Sequence, residues 1–169
     1  MLLDSVNRRK FASRFASLFS VIGAAAVFNK SANALPAASH KEEVRKMNDE
    51  GKPADGNQMI TPVVAHNGLI YVAGQGAHDE GPAASWEIGA HTTTVLNKVK
   101  KLVEAGGSSM DSVVQLSVFL AKIDDYDGMN KVFKTYFPHG GPARTTVAVA
   151  ALPGNSLVEI NCIAALPKK

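Results

Sequence analysis

The sequence predicts an α+β fold, a single sheet with two helices packed on one face. Three observations carry that reading. Asn67-Gly68 lies between two β-rich runs, the strongest short signal for a hairpin. Two later segments repeat apolar residues at the 3–4 spacing of a helix buried along one side. The remaining segments alternate in steps of two, as strands do. The order is strand, strand, helix, strand, helix, strand, strand, which puts both helices on one face of one sheet. No helix is left for the other face. Yet the last strand sets Leu157 and Ile163 to one side and Val158, Ile160, Cys162 and Ala164 to the other. Both faces are apolar, so the uncovered one is expected to meet another subunit.

The chain has 169 residues, enough for one domain with a real core once a leader is set aside. Residues 1–34 read as that leader. Asn7-Arg8-Arg9-Lys10-Phe11 has the form of a twin-arginine export signal. Phe15 to Phe28 then runs 14 residues without a charge, too short to span a bilayer comfortably. Ala32-Asn33-Ala34 supplies a small-x-small cleavage site, and Lys30 beside it suits the twin-arginine route. A periplasmic or secreted product follows, with no membrane contact after removal of the signal. The alternative is an organellar transit peptide and a matrix location, because the stretch is rich in Arg and Ser and has Asp4 as its one acid. Residues 1–34 carry a net +4 of the whole chain's +3, so the remainder is near −1. A domain of that charge has no global pull on nucleic acid, and no nucleic-acid partner is expected.

Residues 35–58, rich in Pro, Ala, Ser, Gly and mixed charge, read as a flexible N-terminal arm, with a short helical turn available to Lys41–Asn48. The folded domain is expected over 59–169. Its first strand spans Met59 to Ala65 and its second Leu69 to Ala73. Gly74-Gln75-Gly76 ends the second strand where a backbone can approach a ligand closely. A loop from His78 leads to Ser85 as N-cap, with Glu87 in the first turn. Ile88, Val95, Leu96, Val99, Leu102 and Val103 mark the buried face of the first helix, which Gly106-Gly107 ends. A turn over Ser109–Ser112 opens the alternating strand Val113 to Ala121. The second helix runs from about Asp125 to Phe137, with Met129, Val132, Phe133 and Tyr136 as its stripe. Phe137-Pro138 breaks it, and His139-Gly140-Gly141 delivers the chain to Arg144.

Several chemistries are disfavoured. The five histidines and one cysteine do not cluster at metal-ligand spacing, so no metal is expected. Cys162, in an apolar strand, reads as core rather than nucleophile, and a lone cysteine leaves no internal disulfide. Gly74-Gln75-Gly76 lacks the continuation of a dinucleotide loop, and no serine elbow occurs. No cofactor is implied.

What remains is a pair of charges near the C-terminus. Arg144 stands at the mouth of the strand that continues to Val149. Glu159 lies inside the apolar strand Leu157-Val158-Glu159-Ile160-Asn161-Cys162-Ile163, where an unpaired carboxylate costs several kcal/mol to desolvate. A tight hairpin at Pro153-Gly154 brings Glu159 level with Val147 to Val149 and sets the two charges across one cleft. They are then either a buried structural ion pair or the poles of a site.

Pro142-Ala143-Arg144-Thr145-Thr146-Val147-Ala148-Val149-Ala150-Ala151-Leu152-Pro153-Gly154, followed by Leu157-Val158-Glu159-Ile160-Asn161-Cys162-Ile163-Ala164, resembles the C-terminal signature of the Rid/YjgF family of reactive-intermediate (2-imino acid) deaminases. The resemblance extends back to about Pro62. It implies a chorismate-mutase-like fold and a homotrimer with sites between subunits. It also implies hydrolytic deamination of small 2-imino or enamino acids to 2-keto acids and ammonia. Arg144 would bind the substrate carboxylate bidentately, and Glu159 would hold or activate a water. Gly74, Gln75 and Asn130 would line the pocket. Two positions depart from the family pattern. Ala73 stands where the family has serine, and Thr61-Pro62-Val63 takes the place of a Gly-Pro-Tyr segment whose aromatic covers the substrate. These departures suit an alternative: a trimer of the same fold that binds a small carboxylate, or acts as a holdase or partner protein, without catalysis. RNA cleavage, also attributed to the family, is opposed by the charge near −1.

Overall fold

The computed structural model describes residues 43–77 and 87–168; the leader, the stretch to residue 42, His78 and the Ser85 cap lie outside the described residues. The elements run β1 Arg45–Met47, β2 Val63–His66, β3 Leu69–Gly76, α1 Ile88–Ala105, β4 Val113–Leu120, α2 Tyr126–Tyr136, β5 Ala143–Ala148 and β6 Val158–Ala165. They form one six-stranded mixed sheet of order β1-β2-β3-β6-β4-β5. Both helices pack on one face, as the periodicity predicts.

The last strand in sequence is central in space. β6 inserts antiparallel between β3 and β4. Its even-numbered residues Val158, Ile160 and Ala164 are fully buried and Cys162 nearly so, while the odd-numbered ones face the uncovered side and are half-buried. Leu116, Val118 and Leu120 of β4 join the same core, and α1 closes it with Val95, Leu96, Val99 and Val103. The open face carries exposed Tyr71, Val114 and Val147.

Local signals behave as chemistry dictates. Asn67 and Gly68 both take positive φ, 50° and 73°, as a two-residue hairpin turn needs to match strand twist. At the end of α1, Gly107 (φ 86°) lets its own N–H reach the Glu104 carbonyl and that of Ser108 reach the Val103 carbonyl, the paired bonds that satisfy a helix's last carbonyls.

Two boundaries shift: the strand expected from Met59 begins at Val63, and Glu87, expected in the first turn of α1, is its N-cap residue. Two larger expectations are corrected. Within the segment read as an arm, residues 45–47 are strand rather than helical turn. β1 pairs antiparallel with β2, giving that edge a partner, and buries Met47. Its following turn is closed by Asn48 Oδ1, which accepts from the N–H groups of Glu50 and Lys52 at 3.0 and 2.9 Å. Lys101 of α1 reaches Asp49 across 3.0 Å. The second correction concerns the C-terminal pair: β5 and β6 are not a hairpin. β4 lies between them, parallel to β5 and antiparallel to β6. The connection around Pro153-Gly154 steps over the end of β4, held by Val149 N–H to the Leu120 carbonyl and Ala121 N–H to the Leu157 carbonyl, both 2.9 Å.

One buried hydroxyl fastens the sheet's middle. Ser156 accepts from the Ala77 N–H at 2.9 Å and donates to the Val158 carbonyl at 2.7 Å. Ser156→Ala leaves both backbone groups without that partner. It should cost about 1–3 kcal/mol of stability in a denaturant titration.

Candidate functional site

The predicted site residues fall into two groups on opposite faces of the sheet. Arg144 is paired in register with Leu116, whose side chain is fully buried under the helices, so Arg144 faces the helix side. Glu159 alternates with the buried Val158 and Ile160 and faces the open side. It lies opposite Phe119, which in turn pairs with Val147. The level along the sheet is therefore the one the sequence predicts, but the shared cleft is not present within one chain. The intervening strand β4 and the two-residue pleat separate the charges.

On the helix side, Arg144 is held by aromatic faces. Its guanidinium carbon is 4.6 Å from the Phe133 ring centroid and 5.7 Å from that of Tyr126. Nη2 donates to the Tyr126 hydroxyl at 3.3 Å. No acid among the described residues pairs with it. Such stacking fixes a guanidinium plane while leaving most of its five donors available. Asn130, Lys134, Phe137 and Gly141 complete a surface groove with Phe133 and Arg144. Tyr126, Asn130 and Phe133 recur at i, i+4 and i+7 along α2, so one helical stripe presents the groove to β5. The stripe read from the sequence, Met129, Val132, Phe133 and Tyr136, includes Phe133 as core alone and leaves Tyr126 out.

On the open side, β3 carries one extra residue relative to β6 between Val72 and Gln75. The bulge, Ala73-Gly74, sits against Glu159. A Cβ on Gly74 would collide with a Glu159 carboxylate oxygen and lie 3.1 Å from its Cδ, so glycine makes the close approach possible. Gln75, expected to touch substrate, is turned back on the bulge. Its Nε2 donates to the carbonyls of Ala73 and Gly74, each at 3.0 Å. The Ala73 N–H donates to the Pro62 carbonyl at 3.0 Å, which ties the β1–β2 connection to the same spot.

Neighbouring groups are structural. His91 Nδ1 accepts from the Leu157 N–H at 3.2 Å, and burial holds its imidazole below the ordinary range, consistent with an acceptor role. Lys98 donates to the Gly76 carbonyl at 3.0 Å. Burial pushes the Cys162 thiol up to about 12, the opposite of what a nucleophile requires. Among the described residues, no group of three or more His, Cys, Asp or Glu side chains is placed to hold a metal ion. No helix there is long and apolar enough to cross a membrane.

The geometry separates the two readings of Arg144. A buried bridge to Glu159 would make Arg144→Ala cost about 3–5 kcal/mol. Stacking on Phe133 and Tyr126 sets the expected loss at about 1 kcal/mol, measured by urea denaturation.

The family model described as Endoribonuclease L-PSP matches residues 55–166. The mitochondrial protein mmf2 of Schizosaccharomyces pombe is 37% identical over 105 residues, covering 60% of this chain and 83% of its own. Reactive Intermediate Deaminase A, chloroplastic, of Arabidopsis thaliana is 35% identical over 134 residues, covering 78% of this chain and 70% of its own. A crystal structure from Entamoeba histolytica, described as an endoribonuclease L-PSP, superposes with a TM-score of 0.64 at 31% identity, over 73% of this chain and 100% of that one.

Proposed function

The chain belongs to the endoribonuclease L-PSP family, the Rid/YjgF group that its C-terminal signature resembles, and on that premise we propose that it hydrolyses small 2-imino or enamino acids to 2-keto acids and ammonia. The observation that carries this reading is Arg144, stacked on Phe133 and turned to a groove with no acid among the described residues paired to it. A planar guanidinium so held suits bidentate capture of a carboxylate. Glu159 is the base. It holds a water against the electrophilic C=N carbon; addition gives a carbinolamine, proton delivery to nitrogen releases ammonia, and the 2-keto acid remains. So reactive a substrate needs little more than positioning.

Because one chain sets Arg144 and Glu159 on opposite faces, a site containing both takes Arg144 from one subunit and Glu159, with Gly74, from another. A homotrimer, common to the family, would supply that arrangement by covering the open face, where Tyr71, Val114 and Val147 are exposed. The name of the Arabidopsis relative supports the deaminase reading.

The test is release of keto acid from freshly generated 2-aminoacrylate. Acceleration over the spontaneous rate is expected. Arg144→Lys, which keeps charge but loses the fork, should weaken binding by about 1–3 kcal/mol. Gly74→Ala should lower turnover with little change in melting temperature, since its Cβ displaces the end of a flexible side chain. Carboxylate binding that Arg144→Ala abolishes, with no turnover in the wild type, would favour the binding module that Ala73 and the absent aromatic suit. Strongly salt-dependent RNA affinity would instead favour the activity in the family's name.

For residues 1–34, the arginine pair supports export, whereas the mitochondrial and chloroplastic relatives support an organelle address. Arg8→Lys with Arg9→Lys separates them. A twin-arginine precursor should stay unprocessed in the cytoplasm, while organelle import, which reads positive charge, should continue.

A further inference from the structure

We propose that Lys134 makes the Arg144 groove selective for a dianionic ligand, a 2-oxo or 2-imino acid whose side chain bears a second carboxylate. This rests on the reading of Arg144 as the holder of the first carboxylate and adds the substrate class.

Lys134 follows Phe133, on whose ring Arg144 is stacked, and lies one turn beyond Asn130; all four line one groove. No acid among the described residues pairs with Lys134. On its own helix the residues three and four before it are Lys131 and Asn130, and those three and four after it are Phe137 and Pro138. Its charge is therefore not offset by any neighbour at helical contact spacing. The remainder of the groove is aromatic, amide or backbone, with no negative group among the described residues that line it. A monocarboxylate seated on Arg144 leaves this second cation unanswered. A ligand with a further carboxylate, reaching along α2 from Arg144, meets it. Lys134 also stands in the last turn of α2, where the helix's carbonyl end favours a cation. That structural role alone predicts no discrimination among ligands, so discrimination is the informative readout.

The experiment is calorimetry on the full folded protein with four probes: pyruvate, 2-oxobutanoate, oxaloacetate and 2-oxoglutarate. The two dicarboxylates differ by one methylene in the reach between their carboxylates. At low salt at least one should bind about fivefold or more tighter than 2-oxobutanoate. That advantage should shrink at high salt. Lys134→Met should abolish the advantage by weakening the dicarboxylates more than 2-oxobutanoate, and Lys134→Glu should reverse it. Equal affinity for mono- and dicarboxylates in the wild type would overturn the proposal and leave Arg144 in its role. So would a Lys134→Met variant that weakens all four probes alike. If none of the four binds, in wild type or in Arg144→Ala, both this inference and the carboxylate reading of Arg144 fall together.

Discussion

The constraint on which the structure depends is the two-residue period of β6 once that strand is enclosed between β3 and β4. A central strand has neighbours on both edges and cannot slip by one residue without exposing its whole apolar set. Val158, Ile160, Cys162 and Ala164 are thereby committed to the helices. Glu159 is just as firmly committed to the open face. Leu116 of β4 inherits the same phase and passes it to Arg144 at the sheet edge. The sidedness of both Glu159 and Arg144 follows from that parity.

The open face is mixed, with Phe119, Val147 and Ile163 beside Gln115, Ser117 and Asn161, and Glu159 is the one acid that β6 places there. A carboxylate half-buried on such a face is tolerable because the bulge gives it room and one side remains open to solvent or to a second subunit. Arg144, by contrast, sits at an edge where aromatic rings hold it without neutralising it. Two charges that would cancel each other in one cleft are kept apart within the chain.

Most elements were legible in the sequence because their signals are local. Asn67-Gly68 sets a turn by its own φ values, and Gly106-Gly107 ends α1 by freeing the backbone just where carbonyls need donors. Both helical stripes follow from side-chain spacing alone. What was not legible is relational. A Pro-Gly turn between two strands looks the same whether they become neighbours or step over a third, so the insertion of β6 and the sidedness of Arg144 and Glu159 were hidden. β1 was hidden for another reason: three residues, Arg45-Lys46-Met47, are too few for a period, and they become strand because β2 offers an unpaired edge. Phe133 stood in a readable stripe, but nothing in a stripe tells which of its members will meet a cation from the sheet.

The extra residue in β3 has an evolutionary consequence. Before and after the bulge, β3 matches β6 rung for rung, with Val72 opposite Cys162 and Gln75 opposite Ile160. Excising a single codon, that of Gly74, would leave every one of those rungs available and make the strand regular. The core would not register the loss. Glu159 would, because the glycine that gives its carboxylate space would be gone. One in-frame deletion would therefore take the space from around Glu159 while leaving the β3–β6 pairing partners in place.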